Sequence, residues 1–187
     1  MGFIENIHEK FRGSRVKVFI IIFFSALIAF FPFVEADIFW LIKVGEHVIN
    51  CGFPSFEPLT MHTGLHYPVQ QWISAVIFHL TYRFSGASGI FLLTILAYVL
   101  ISFAILSLTR HLSGGNLAVS VSITMVSIAF LTLFITPRPQ IFSYLIFTLQ
   151  IFMLEKYLST GRTGHLLLMP LLSLILINMH AALWPFF

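Results

Sequence analysis

The chain has one aspartate, one cysteine and little charge of either sign. Asp and Glu total 7, Lys and Arg total 10, and charged residues are 9% of the 187. Soluble domains carry about 25% charged residues, so this chain lacks the polar surface of a soluble globule. Cys51 stands alone, which excludes an internal disulfide and a cysteine-based metal cluster. It reads as a small, semi-buried thiol. No glycine-rich phosphate loop, nucleophile elbow or His-Glu-x-x-His stretch occurs, which argues against an enzyme of soluble nucleotides. The sequence pI is near 9.3, but the basic residues are scattered between apolar runs and form no basic face. Nucleic acid is therefore not an expected partner.

What is present is apolar. Hydrophobic residues make up 58% of the chain, Phe occurs 22 times, and the mean hydropathy is +0.97. A helix needs about 20 apolar residues to cross a bilayer. The segments that qualify are about 17–34, 87–109, 115–136, 139–158 and 166–186. Lys10, Arg12, Arg15 and Lys17 precede the first of them, and no small-x-small cleavage site follows. Residues 1–16 are thus expected to be a cytoplasmic basic tail ahead of an uncleaved first span. Residues 72–84, with His79 and Arg83, are short for a span; they cross the membrane or lie in its interface. The expected fold is an all-α integral membrane protein in the cell membrane, multi-pass. It has five or six transmembrane helices and a long first outer loop, 35–71, that carries interfacial amphipathic helices; residues 72–187 hold the remaining spans.

Charge bears on the choice between five and six. If 72–84 lies on the outer face, the four N-terminal basic residues, Arg110, Lys156 and Arg162 are inside, and Lys43, Arg83 and Arg138 are outside. If it crosses, the basic residues divide less unevenly. The positive-inside rule prefers the first arrangement. It also gathers the first loop, the Thr136-Pro137-Arg138-Pro139-Gln140 corner and Asn178/His180 on one face. Ser113-Gly114-Gly115-Asn116 and Ser159-Thr160-Gly161-Arg162 read as turns.

Chemistry concentrates in the first loop. Four of the seven acids, Glu35, Asp37, Glu46 and Glu57, fall between residues 35 and 71. Apolar residues recur at helical spacing from Ile38 to Ile49, which predicts an amphipathic helix lying on the membrane from just after Asp37, with Trp40 as an interfacial aromatic. Asn50-Cys51-Gly52-Phe53-Pro54 stops it, and Gln70-Gln71-Trp72-Ile73 opens the next. His47, His62 and His66 share the loop with Glu46 and Glu57, but their spacing matches no compact metal-ligand motif. No cofactor is evident, and a divalent metal has no recognisable ligand set. Arg138, between two prolines, either snorkels to the interface or uses its planar fork on a lipid phosphate. Gln140 is a candidate for substrate hydroxyls. His180 is either a packed, hydrogen-bonded residue or part of a binding site. Trp72, like Trp40, is a belt aromatic or an aromatic platform.

The order Asp37, Trp40, Gly45, Gly52, Pro54, Glu57-Pro58-Leu59-Thr60, Gly64 and Trp72, followed by Arg138-Pro139-Gln140 and Asn178-Met179-His180-Ala181, resembles the opening of the GT-C-type membrane glycosyltransferases that use polyprenyl-phosphate-linked sugars. Gln71 stands where that pattern often has Glu before Trp, and Ala181 and Ala182 stand where it has glycines. The resemblance implies transfer of a sugar from a polyprenyl-phosphate donor to an acceptor on the extracytoplasmic face. It implies Asp37 as the general base, Glu35 as the second candidate, and Arg138, Gln140, His180, Trp72 and Gln71 as substrate-binding residues. The family's later spans and any C-terminal soluble domain are missing. The expectation is therefore the N-terminal part of a larger architecture, needing a C-terminal half or a partner subunit. The alternatives are a non-catalytic subunit or truncated relic, and a small transporter. Proton-coupled transport calls for ionisable residues deep in several spans, and the middles of these are apolar with Ser and Thr.

Overall fold

The computed structural model of the chain describes residues 36–180. The basic tail, the expected first span and Glu35 lie outside the described residues, as does the end of the 166–186 segment. Among the described residues the structure is helical, with five helices: α1 (Asp37–Cys51), α2 (Trp72–Leu112), α3 (Leu117–Leu131), α4 (Gln140–Thr160) and α5 (Gly164–Met179). Two of them, α2 and α4, are long and apolar enough to cross a membrane; α3 and α5 are apolar and shorter. Their outward faces are hydrophobic. Leu92 is 62% exposed, Phe130 67% and Leu167 76%. A soluble protein seldom leaves so much contiguous apolar surface in water.

The signals that end and begin these helices are local. Gly52 (φ 82°) and Gly161 (φ 68°) end α1 and α4 in the left-handed region, where a Cβ is unwelcome. Asn116 caps α3 by accepting the Val119 N–H at 3.2 Å. Pro139 occupies the position before α4, where its missing N–H costs nothing.

α2 is two arms rather than one rod. Gly86 (φ 59°, ψ −151°) is non-helical. A Cβ built on Gly89 would come within 2.8 Å of the Thr81 carbonyl, although residues eight apart in a straight helix are separated by about 12 Å. The helix therefore bends sharply at Gly86. Ala75 and Phe78 of the first arm share a buried cluster with Ile90 and Ala97 of the second. The first arm, about 21 Å long, starts beside the end of α5: Trp72 Nε1 donates to Asn178 Oδ1 (2.8 Å), and Ser74 Oγ donates to the Met179 carbonyl (2.8 Å).

α1 lies against this first arm. Its stripe Ile38, Leu41, Ile42 and Val44 is buried with Ala75 and Phe78. The expected amphipathic helix is present, but its apolar face is covered by protein rather than turned toward lipid. The reason is Gly45. A Cβ there would collide with the Ala75 carbonyl and crowd His79, so the two backbones approach closely only because this residue has no side chain.

Polar rungs set the register of the remaining helices. Tyr98 donates to the Ile128 carbonyl (2.8 Å), and the Thr109 and Thr124 hydroxyls meet at 3.2 Å, joining α2 to α3. Gln150 Nε2 donates to Ser173 Oγ (2.8 Å), and Ser143 Oγ bonds His180 Nδ1 (3.1 Å), joining α4 to α5. His111 contacts Ser159 Oγ at 3.1 Å at the far end of α4. One end of the helix set thus holds Asp37, Arg138 and Asn178. The other holds Arg110, His111 and the turn at Arg162.

Replacing Gly45 with Val should separate α1 from the first arm of α2 and cost about 1–3 kcal/mol, the range for overpacked contacts. Protease cleavage in the 52–70 connection reports it, with faster nicking expected in the variant. Cleavage at the parental rate would show that the Gly45–Ala75 approach does not hold α1.

Candidate functional site

A cavity of about 150 Å³ opens at the Arg138 end of the bundle, lined by Asp37, Trp40, Leu41, Gln71, Arg138, Pro139, Gln140 and His180. Four segments distant in sequence contribute to it, and each arrives by a local device. Asp37 is in the first turn of α1, and its carboxylate meets Arg138. Gln71 is the residue before α2 and accepts the Ala75 N–H through its carbonyl (3.0 Å). Arg138 is held in the Pro137–Pro139 corner, where its N–H bonds the Thr136 carbonyl (2.7 Å) and its own carbonyl accepts the Ile141 N–H (3.2 Å). Gln140 is the first residue of α4. His180 leaves α5 in extended conformation (φ −167°, ψ 102°).

The charges are paired. Arg138 Nη2 lies 3.0 Å from Asp37 Oδ2, with the Arg side chain 32% exposed and the Asp side chain 65% exposed. An ion pair so open to water contributes about 0.2–1 kcal/mol. Its effect is to fix where the two groups meet rather than to hold the fold. His180 engages Ser143 through Nδ1, which leaves Nε2 as the ring's other polar atom. A cation, an anion, two amides and an imidazole around one small space can hold a phosphate and several hydroxyls together.

Behind the pocket is an aromatic wall. Trp40 meets Tyr67 edge to face, with centroids 5.9 Å apart. Burial, with a smaller contribution from the Glu57 carboxylate, pushes the Tyr67 phenol up to about 12, so Tyr67 stays neutral at any ordinary pH. The Tyr67 N–H donates to Ser55 (3.3 Å), and the Glu57 N–H donates to Leu65 (2.9 Å) across the 52–71 connection.

Of the residues singled out from sequence, Asp37, Arg138, Gln140, His180 and Gln71 line this cavity. Glu35 is outside the described residues. Trp72 is not on the lining: its indole N–H is committed to Asn178 and its ring packs edge-on against Phe53 (5.3 Å). Trp40 takes the aromatic place instead. The signal was available, since Trp40 follows Asp37 by three residues, and positions i and i+3 share a helix face. The histidines weighed as metal ligands do not converge. Among the described residues no group of three or more His, Cys, Asp or Glu could hold a metal ion.

No protein-family model matches the chain, and no curated protein or solved structure does. The site therefore stands on its own geometry.

The Trp72–Asn178 bond ties α2 to α5 beside the pocket. Changing Trp72 to Phe removes the donor and leaves a partly buried amide oxygen without it, at a cost of about 1–2 kcal/mol. The expected outcome is a lowered unfolding midpoint with little change in any ligand affinity of the pocket. A loss of affinity at unchanged stability would instead make Trp72 a binding residue.

Proposed function

We propose that the chain is the transmembrane module of a GT-C-type glycosyltransferase that moves a sugar from a polyprenyl-phosphate donor to an acceptor on the extracytoplasmic face. The observation that carries this reading is the convergence of Asp37, Gln71, Arg138, Gln140 and His180 on one cavity. Those residues come from four segments that are far apart in sequence.

The proposed topology is multi-pass with a cytoplasmic N-terminus and five spans. The first precedes Glu35. The second arm of α2, α3, α4 and α5 supply the others. α1 and the first arm of α2 stay on the outer side. Arg110, Lys156 and Arg162 then join the basic N-terminal tail inside, in keeping with the positive-inside rule. In this topology the cavity faces the outer boundary between hydrocarbon and water, within reach of a lipid phosphate.

In the proposed reaction the acceptor hydroxyl oxygen attacks the anomeric carbon. Its new C–O bond forms as the bond from that carbon to the phosphate oxygen breaks. The electron pair leaves with the lipid phosphate, where Arg138 stabilises the charge. The acceptor's proton goes to the Asp37 carboxylate, a general base within hydrogen-bond reach of the cavity. Gln71, Gln140 and the His180 imidazole hydrogen-bond sugar hydroxyls, and Trp40 offers an apolar ring face beside them.

A second reading, a non-catalytic subunit that uses the loop for docking, draws on the Asp37–Arg138 pair as a clasp between α1 and α4. Asp37→Asn separates the two. Under the transferase reading, transfer from polyprenyl-phosphate sugar in membranes carrying the variant falls by about 10²-fold or more, with expression and unfolding temperature unchanged. Equal transfer in the variant and parent would eliminate Asp37 as the base. Single cysteines in a Cys51-free background test the topology. Positions beside Asp37 and Arg138 should label from outside, and those beside Arg162 only after permeabilisation. Labelling of Arg138 and Arg162 neighbours from the same side would overturn it.

A further inference from the structure

Arg138 is the one Lys or Arg side chain on the cavity lining among the described residues, and Asp37 is the one carboxylate. With no ligand bound they face each other at 3.0 Å. We propose that the Asp37 carboxylate occupies, in the ligand-free protein, the place a phosphate monoester or diester takes on Arg138, so that arrival of the phosphate is the event that releases Asp37 to accept a proton. This inference rests on the transferase reading above and adds an order of events to it.

The two partners differ in freedom. Arg138 is bracketed by Pro137 and Pro139, and its backbone N–H and carbonyl are both bonded within the corner. Asp37 stands at the first turn of α1, and its side chain is 65% exposed. The Arg138 side chain, 32% exposed, is the more confined member. The carboxylate rotates into water at little cost, because its charge is already largely hydrated there.

A phosphate entering the cavity brings negative charge to within a few ångströms of Asp37. Two anions then compete for one planar fork, and phosphate oxygens match that fork with two parallel hydrogen bonds. While Asp37 Oδ2 is engaged by Arg138, that oxygen is not available to take the acceptor's proton. Once phosphate holds Arg138, the carboxylate is free beside the reacting centre. The exchange ties base availability to donor occupancy. Without donor, an acceptor or water in the cavity meets an engaged carboxylate.

The consequence has an unexpected sign. Removing the charge of Asp37 should abolish transfer and yet tighten phosphate binding. The test measures binding of polyprenyl monophosphate to the detergent-solubilised protein, with inorganic phosphate as the water-soluble comparison, for the parent, Asp37→Asn, Asp37→Ala and Arg138→Gln. Gel filtration and helical circular dichroism show that each variant is folded. The expected result is binding about fivefold tighter in both Asp37 variants, the scale of one exposed ion pair, and lost in Arg138→Gln.

Unchanged or weaker lipid-phosphate binding in folded Asp37 variants overturns the exchange and makes Asp37 an organiser of Arg138. The transferase reading survives that result provided the parent binds the lipid and Arg138→Gln does not. Tighter inorganic phosphate with no binding of the lipid keeps the exchange but removes the lipid-linked donor. No binding of either phosphate by any variant overturns both.

Discussion

The close approach of two backbones at Gly45 and Ala75 is the contact on which the candidate site depends. α1 carries Asp37, Trp40 and Leu41, three of the residues around the cavity, and the Asp37–Arg138 pair that links it to the start of α4 is too open to water to hold it there. What places it is the packing of Ile38, Leu41, Ile42 and Val44 on the first arm of α2. That packing exists because a position with no Cβ faces the Ala75 carbonyl. Move α1 outward by the width of a methyl group and the carboxylate no longer reaches the Pro137–Pro139 corner. A glycine well away from the chemistry therefore sets the geometry of the charged pair.

The second dependence is on the bend at Gly86. It lets residues of both arms of α2 share one buried cluster with α1. A hydrophobic helix side can be satisfied by lipid or by another helix, and lipid offers no preference of orientation. Packing against the first arm of α2 fixes α1 in rotation as well as in position, which is what brings Asp37 and Trp40 to the same side. Small residues at such contacts allow dense van der Waals packing where burial from water is not the driving force.

Much of the helical layout was legible in the residues. The prolines at 137 and 139, the glycines at 52, 86 and 161 and Asn116 act through their own backbone chemistry, and such signals do not need the rest of the protein to be interpreted. The helical spacing from Ile38 to Ile49 predicted a helix with one apolar face, and that face exists. Its partner was not legible, because periodicity describes a surface and not what covers it. Gly86 likewise announces a break without its angle. The same limit explains Trp40 and Trp72. Both are tryptophans near a helix start, and only the contacts show that one ring borders the cavity while the other spends its N–H on Asn178. Gln71 and Arg138 were picked out by resemblance and by the cost of a charge near lipid, and they lie together on the cavity. Glu35 remains outside the described residues.

The two polar rungs between α4 and α5 have a mechanical consequence. Ser143 and Gln150 sit about two turns apart on α4, and their partners are Ser173 within α5 and His180 just past its end. Both bonds are therefore in step, and a slip of α5 by one turn along α4 would break them together. Gln150 is fully buried, and a buried amide that loses its partner has no water at hand to replace it. The pair acts as a ratchet stop: α4 and α5 move as one piece, and Arg138, Gln140 and His180 move with them. Any widening of the cavity must then come from the other wall, by α1 swinging on the arm that carries it.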